Sequence, residues 1–446
     1  MFRPTGFADL RGRRVGIFGV GVEGRATVRR LTGVAEHFVL VDDAALDDPE
    51  VLRSAEGGLA ALHTCEVVIK SPGIARRRPD VIDLELHGVP VVSALNLWLH
   101  DVERARVLAI TGTKGKSTTT ALAAFFLECL GERALRLGNI GQPPYDPNVD
   151  TSSGWLVLEV SSFQCVDIDV APAVVVVTSL GADHLDWHGS LEQYQCDKLA
   201  LTRTPGDHRT LVPENATLRG RANQLGGDLD FVEPDATHLA AALGLVGGHS
   251  NSNVALALRA VAELTGRDLG EVRDIVRERA SQFEPLRGRL TLAAREEGVG
   301  GALVHYIDDG LATSVLPTVA ALEVFTDQPL SLIAGGFDRG VDYAPLARAL
   351  GARSARTTVI AMGDAGARLA HDVRALAPEL SVIEVRTMRD AVTRARLALE
   401  GEGIVLFSPA AASFDQYRNW EERSQDFTNI ARALAHEWDR GVDSDT

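Results

Sequence analysis

Residues 107–127 constrain this chain more than any other stretch. Val107-Leu108-Ala109-Ile110 is followed by Thr111-Gly112-Thr113-Lys114-Gly115-Lys116-Ser117-Thr118 and then by the apolar run Ala121-Leu122-Ala123-Ala124-Phe125-Phe126-Leu127. Four apolar residues without polar alternation predict a strand buried on both faces, as in a parallel sheet covered by helices. Gly112 and Gly115 allow a tight turn, and a helix is expected to begin at Lys116. Strand, glycine loop and a helix opening on Lys-Ser make a cradle for a triphosphate. The backbone can approach closely, the helix N-terminus presents N–H groups, Lys116 adds a point charge and the Ser117 hydroxyl can bind Mg²⁺. The spacing departs from the general phosphate-loop pattern at Ile110, where a glycine is usual. The competing reading is an ordinary strand–turn–helix with a surface lysine.

Composition narrows the classes. A chain of 446 residues is long enough for two or three domains. A formal net charge of −16 argues against a nucleic-acid surface and for a soluble, cytoplasmic protein whose positive fields come from a few placed Lys and Arg. Cys65, Cys129, Cys165 and Cys196 contain no Cys-x-x-Cys, which suits a reducing compartment and supplies no zinc framework. No apolar run approaches membrane-spanning length, so no membrane insertion is expected.

Taken in order, the chain opens with the strand Arg14–Phe18, the glycines Gly19-x-Gly21-x-x-Gly24, and a second strand, Phe38–Val41, ending in Asp42-Asp43. This is a Rossmann-like βαβ start, compatible by itself with NAD, another nucleotide or no ligand. Val67–Ile69 predicts a strand entering the turn Ser71-Pro72-Gly73. Arg76-Arg77-Arg78 beside it reads as a solvated face. Val91-Val92 reads as a short strand, and residues 94–103 as an amphipathic exit from the domain.

After the phosphate loop, Trp155–Leu158 predicts another buried strand, ending in Glu159-Val160-Ser161-Ser162-Phe163-Gln164. A carboxylate at a strand end beside a phosphate-loop strand is where a Mg²⁺ ligand belongs; a capping or salt-bridged Glu is the alternative. Val174–Val177 leads to Asp183-His184-Leu185-Asp186, two acids and a histidine at a strand tip. His184 and His188 are four apart, but no Glu accompanies them as in His-Glu-x-x-His, so zinc is not favoured. Leu191–Leu201 should be helical and carries Lys198, by itself an ordinary surface lysine. Residues 203–250 look irregular, and helices are expected at 251–264 and 269–281. The last region alternates strands (304–307, 330–333, 358–360, 382–385, 404–407) with helical segments, a second open α/β sheet whose strand ends carry further candidate residues.

Together these motifs resemble the Mur ligase family along nearly the whole chain, and most closely its glutamate-adding branch. The matching stretches are Gly112–Ser117, Gly138-Asn139-Ile140-Gly141, Leu158–Gln164, Asp183–Asp186, Asp197-Lys198-Leu199, Asp308-Asp309, Gly335-Gly336 and Ser408–Gln416. The resemblance implies an α/β architecture of three domains: a Rossmann-like UDP-binding domain (1–103), a P-loop-type central ATPase domain (104–288) and a Rossmann-like amino-acid-binding domain (289–446). It implies an ATP-dependent, ADP-forming ligase of peptidoglycan synthesis, a monomer acting on small molecules. The alanyl carboxylate of UDP-N-acetylmuramoyl-L-alanine would attack the γ-phosphate of ATP, and the amine of glutamate would then displace phosphate.

By this likeness Gly112, Thr113, Lys114, Gly115, Lys116, Ser117, Thr118, Asn253, Arg289 and Asp309 bind ATP, with Asn253 at the adenine and Asp309 at the ribose. Ser117, Glu159 and His184 hold Mg²⁺, and Lys198 is carbamylated, completing a catalytic set of Lys116, Glu159, His184 and Lys198. Gly19, Gly21, Asp42, Gly73, Asn139, Ser161 and Gln164 line the UDP-substrate side, and Thr313, Arg339, Ser413 and Trp420 the glutamate side.

The departures from the D-glutamate-adding pattern cluster at the amino-acid pocket. Leu311 and Arg339 replace lysines, Trp420 replaces a phenylalanine, and Ser424 a glycine, while His249-Ser250-Asn251-Ser252-Asn253 varies a His-Asn-x-x-Asn motif. Exchanging Lys for Arg changes a point charge into a fork, and losing a Lys removes an anchor. With Gly19–Ala26 also resembling a variant branch that adds L-glutamate, the expectation is L-glutamate, with D-glutamate as the alternative. Two other classes compete: a nucleotide-binding regulatory protein without catalysis, and a nicotinamide oxidoreductase built on the first glycine fingerprint.

Overall fold

The computed structural model describes residues 2–139, 141–181, 183–297 and 302–443, the side chains of 185, 186 and 438–443 excepted. Ile140 of the Gly-Asn-Ile-Gly motif and the Asp186 side chain of the strand-tip cluster therefore lie outside the described residues.

Among the described residues the strands form three sheets. The first, in the order β3-β2-β1-β4-β5, is built from β1 (Arg14–Phe18), β2 (His37–Asp42), β3 (Val51–Arg53), β4 (Val67–Lys70) and β5 (Val91–Val92), all parallel. The second, in the order β11-β10-β9-β6-β8-β7, contains β6 (Val107–Thr111), β7 (Ala134–Gly138), β8 (Trp155–Glu159), β9 (Val174–Val177), β10 (Arg209–Pro213) and β11 (Asp228–Val232), again parallel. The third, in the order β12-β13-β17-β14-β15-β16, contains β12 (Thr291–Glu297), β13 (Leu303–Asp308), β14 (Leu330–Gly335), β15 (Thr357–Met362), β16 (Ser381–Val385) and β17 (Gly403–Phe407). Only its β12–β13 pairing is antiparallel.

The strands with unbroken apolar runs lie inside the sheets. β6, β9, β14 and β17 are buried at every position, as strands covered on both faces must be. The edges are where expectation and structure part. β10 and β11 occupy the stretch expected to be irregular, and β11, Asp-Leu-Asp-Phe-Val, is a half-buried edge strand that polar residues disguise. β12 extends the third sheet by one unforeseen antiparallel strand, whose Glu296 is buried on a bidentate partner, Arg396.

The chain divides into two compact units, Met1–Leu239 with Asn251–Ala280, and Ala240–Ser250 with Ser281–Thr446. The first unit holds the first two sheets, joined by one apolar cluster. Ile17, Ile69, Leu97 and Trp98 pack into the same core as Leu156, Leu158 and Val160. The helix Ala94–Asp101, expected as an amphipathic exit, is buried over residues 94–99 because it lies in this shared core. The arginine run is also not a solvated face: Arg76 pairs with Asp167 and Glu85, Arg77 with Asp197, and Arg78 with Asp43 and Asp80. Among the described residues no helix is long and apolar enough to cross a membrane.

Candidate active site

The phosphate loop connects β6 to the helix Lys116–Cys129. Gly112 has φ +142°, and a Cβ there would stand 2.1 Å from Thr178 Oγ1; Gly115 has φ +87°, and a Cβ would meet Asn253 Oδ1 at 2.6 Å. Both positions thus require glycine on two counts, backbone conformation and space. The loop is fixed from β9: the Thr113 N–H donates to Ser179 O at 2.9 Å and the Lys114 N–H to Ser179 Oγ at 2.8 Å. Thr113 Oγ1 accepts from the Gly181 N–H and from Tyr194 Oη, both at 2.9 Å. The first-turn N–H groups of the following helix, which include those of Ser117 and Thr118, have no partners within the helix and face outward along its axis.

Around this loop the structure gathers the charged residues. Lys116 Nζ donates to Gly112 O at 2.9 Å and to Thr113 O at 3.3 Å, and Lys198 Nζ donates to the same Gly112 O at 2.8 Å. Lys198 is no surface lysine: it is 2 % exposed, and burial, reinforced by the Lys116 charge, lowers its pKa to about 7. Glu159 and Asp183 act on it in the opposite direction. Glu159, at the end of β8, is 1 % exposed; its Oε1 accepts from Asn139 Nδ2 at 2.8 Å, while its Oε2 is buried without a hydrogen-bond partner. Ser117 is buried at the helix start and Asn253 is buried against Gly115. His184 has a half-exposed side chain, a left-handed backbone (φ +48°) and its ring 4.9 Å from that of Phe163. A non-glycine residue held there is strained, as functional positions often are.

The residues expected on the UDP-substrate side mostly hold loops. Gly19 (φ +92°) packs against Ser71, whose Oγ donates to Gly19 O at 2.5 Å. Asp42 Oδ2 accepts from the Val20 N–H of the glycine loop at 2.7 Å, and its Oδ1 accepts from the Ala44 N–H of its own turn at 2.9 Å. Gly21 and Gly73 face open space, and Gly73 O accepts from Trp187 Nε1 at 3.1 Å. Ser161 and Gln164 cap each other across the start of a helix, and Gln164 Nε2 reaches Glu23 Oε1 at 2.9 Å.

In the second unit, Asp308 ends β13 and Asp309 follows it. Asp308 accepts from the N–H groups of Gly288 and Gly310 and from Ser424 Oγ, and Asp309 accepts from Ser408 Oγ at 2.7 Å. Burial raises their pKa values to about 6 and about 7; the Arg289 charge partly offsets this at Asp309. Trp420 lies against Gly288, Ser413 is buried, Arg339 stands over the Phe414 ring at 5.5 Å, and Thr313 is exposed.

Residues 110–224 match the Mur ligase middle domain. A UDP-N-acetylmuramoyl-L-alanine–L-glutamate ligase of Micromonospora sp. is 36% identical, over 96% of this chain and 98% of its own length. The chain belongs to the Mur ligase family. A UDP-N-acetylmuramoylalanine–D-glutamate ligase of Symbiobacterium thermophilum is 30% identical, over 95% of this chain and 98% of its own length. In fold, this Mur ligase is similar to the MurF ligase of Thermotoga maritima solved in complex with ADP, with a TM-score of 0.52, 13% identity and 97% of each chain covered.

Arg423 is a buried cation of this Mur ligase that the sequence does not single out. Arg423 is 1 % exposed, and its guanidinium donates to Ala412 O and Ala411 O, both at 2.9 Å, beneath the Ser408–Gln416 loop. Gly336 gives it room: a Cβ there would stand 2.8 Å from Arg423 Nη1. The available signal was the arginine immediately before Ser424.

Proposed function

We propose that this Mur ligase joins L-glutamate to UDP-N-acetylmuramoyl-L-alanine in peptidoglycan precursor synthesis, with ATP converted to ADP and phosphate. The observation that carries the reading is the meeting of Lys116, Lys198 and Glu159 around Gly112 at the mouth of a phosphate loop. Its counterpart is the near full-length likeness to a ligase named for that reaction. The enzyme works on small molecules, as a cytoplasmic monomer.

The residues fit Mg²⁺ and ATP. A buried carboxylate oxygen with no donor, Glu159 Oε2, is costly unless a cation meets it. Glu159, His184 and the Ser117 hydroxyl would hold the metal, which supplies neutralising charge to the phosphates when bound. Lys116 releases the Gly112 and Thr113 carbonyls and turns to the β- and γ-phosphates of ATP. The first-turn N–H groups at Lys116, Ser117 and Thr118 receive phosphate oxygens. With the phosphates so placed, the alanyl carboxylate attacks in line, and the acyl phosphate it forms gives the glutamate amine a leaving group.

Lys198 serves as a carbamate. An amine with a pKa near 7 is substantially neutral at physiological pH and can add CO₂, which converts a buried cation into an anion. Asp309 and Arg289 act at the nucleotide, and Arg339, Ser413, Trp420 and Thr313 at glutamate. The preference for the L enantiomer rests on Leu311, apolar where the D-adding pattern carries a lysine, and on the fork of Arg339 in place of a second lysine. The test is product formation from UDP-N-acetylmuramoyl-L-alanine with D- and L-glutamate offered separately, read by mass and chirality. Turnover with L-glutamate alone supports the reading. Turnover with D-glutamate alone overturns the enantiomer, and none with either overturns the ligase.

A further inference from the structure

We propose that Arg77 is a positioning residue that sets the place of Lys198 through Asp197. This rests on the reading of Lys198 as a site residue. Arg77 lies on the loop after β4 that also carries Gly73, and Lys198 on the helix Leu191–Leu199. The guanidinium meets the Asp197 carboxylate fork to fork, Nη1 to Oδ2 at 2.8 Å and Nη2 to Oδ1 at 2.6 Å. Asp197 is nearly fully buried, and it also accepts from His188 Nδ1 and Gln193 Nε2, each at 2.7 Å.

Asp197 and Lys198 are successive helical residues, so their side chains leave the axis about 100° apart. One turns to the loop after β4 and the other to the phosphate loop, where Lys198 Nζ reaches Gly112 O at 2.8 Å. Tyr194, one turn earlier, reaches Thr113 Oγ1 at 2.9 Å on the phosphate-loop side. A helix of nine residues has little stability of its own, so such attachments decide where it sits. Losing Arg77 leaves a buried carboxylate without its main counter-charge, and the helix must move to rehydrate it.

The alternative role for this half-exposed arginine is direct binding of the substrate's diphosphate. Steady-state kinetics of Arg77→Ala, Asp197→Asn and the double variant separate the two roles, together with amide hydrogen exchange over residues 191–199 in substrate-free protein. Positioning predicts that each single change lowers kcat about tenfold, since small misplacements near reacting groups are expensive. It predicts a KM for the UDP substrate within about twofold of wild type and a double variant no worse than the singles. Arg77→Lys restores activity only in part, because an ammonium cannot span both oxygens. Exchange over 191–199 accelerates in Arg77→Ala. A raised KM with unchanged kcat, additive losses, or unchanged exchange would each overturn the proposal. Should wild-type protein not turn over, the ligase reading falls, and the exchange measurement alone decides whether Arg77 holds the helix.

Discussion

Lys116 and Lys198 donate to one and the same oxygen, the carbonyl of Gly112, at 2.9 and 2.8 Å. Two ammonium groups so placed repel each other, and burial adds to the cost for Lys198, whose pKa falls to about 7. The arrangement stores a demand for negative charge, which phosphate oxygens, a carboxylate or a carbamate can meet. That demand explains how a chain with a net charge of −16 binds a polyanion: the positive field is local and buried.

Lys116→Ala is expected to lower phosphate release by at least about 100-fold, the scale of losing a charge aimed at a developing transition state. The fold should persist, because the helix that Lys116 opens is held by its buried apolar face. Circular dichroism and a phosphate-release assay check this; near-normal turnover would contradict the role given to Lys116.

The lowered Lys198 pKa makes a signed prediction for substrate-free protein. Below about pH 7 the folded and unfolded chains both carry the charge, and the folded one bears the full burial penalty. Between about 7 and the ordinary 10.5 the unfolded chain binds the extra proton, so this contribution improves as pH rises. Lys198→Met should therefore raise the melting temperature at pH 6 in CO₂-free buffer, with the gain shrinking toward pH 10. Separately, the activity lost in Lys198→Ala should return in part with added short carboxylic acids, which can stand in for the carbamate. A variant indifferent to them would count against that modification.

Asp308 and Asp309 run the other way. Their raised pKa values mean that the folded chain keeps protons which the unfolded chain releases above the ordinary 3.8. Their contribution to stability therefore falls as pH rises from about 4 to about 7, and the cost is complete above that. Asp309→Asn should stabilise the substrate-free protein at pH 8 and leave it unchanged at pH 4, while weakening ATP binding. Melting curves at the two pH values decide; a pH-independent effect would show that the carboxyl is not held protonated.

Arg423→Met should cost about 3 kcal/mol in a urea titration, because in a buried place the Ala411 carbonyl loses the guanidinium donor and the Ala412 carbonyl keeps only the Phe337 N–H. The apolar replacement keeps most of the volume, so the loss reports hydrogen bonds rather than a cavity. A change below about 1 kcal/mol would mean that the Ser408–Gln416 loop does not depend on the guanidinium.

Much of this was legible in the residues alone. The central strands announce themselves through unbroken apolar runs, and the phosphate loop through Gly112, Gly115 and Lys116. The edge strands β11 and β12 were not legible, since half-buried strands carry charges among their apolar residues and mimic loops, and the inner strand β10 was obscured by Arg209 and Pro213 at its ends. Lys198 and Arg423 look like surface residues in sequence; only packing makes them buried cations. Arg76, Arg77 and Arg78 likewise show no partners, because Asp167, Asp197 and Asp43 are brought to them by sheet topology rather than by spacing.

The most direct test is phosphate release measured with ATP and Mg²⁺ present and each of the other two substrates omitted in turn. One phosphate per ligated product is expected when UDP-N-acetylmuramoyl-L-alanine and L-glutamate are both supplied, and only background release when either is absent. Phosphate release indifferent to both, or no release under any combination, would contradict the ligase reading.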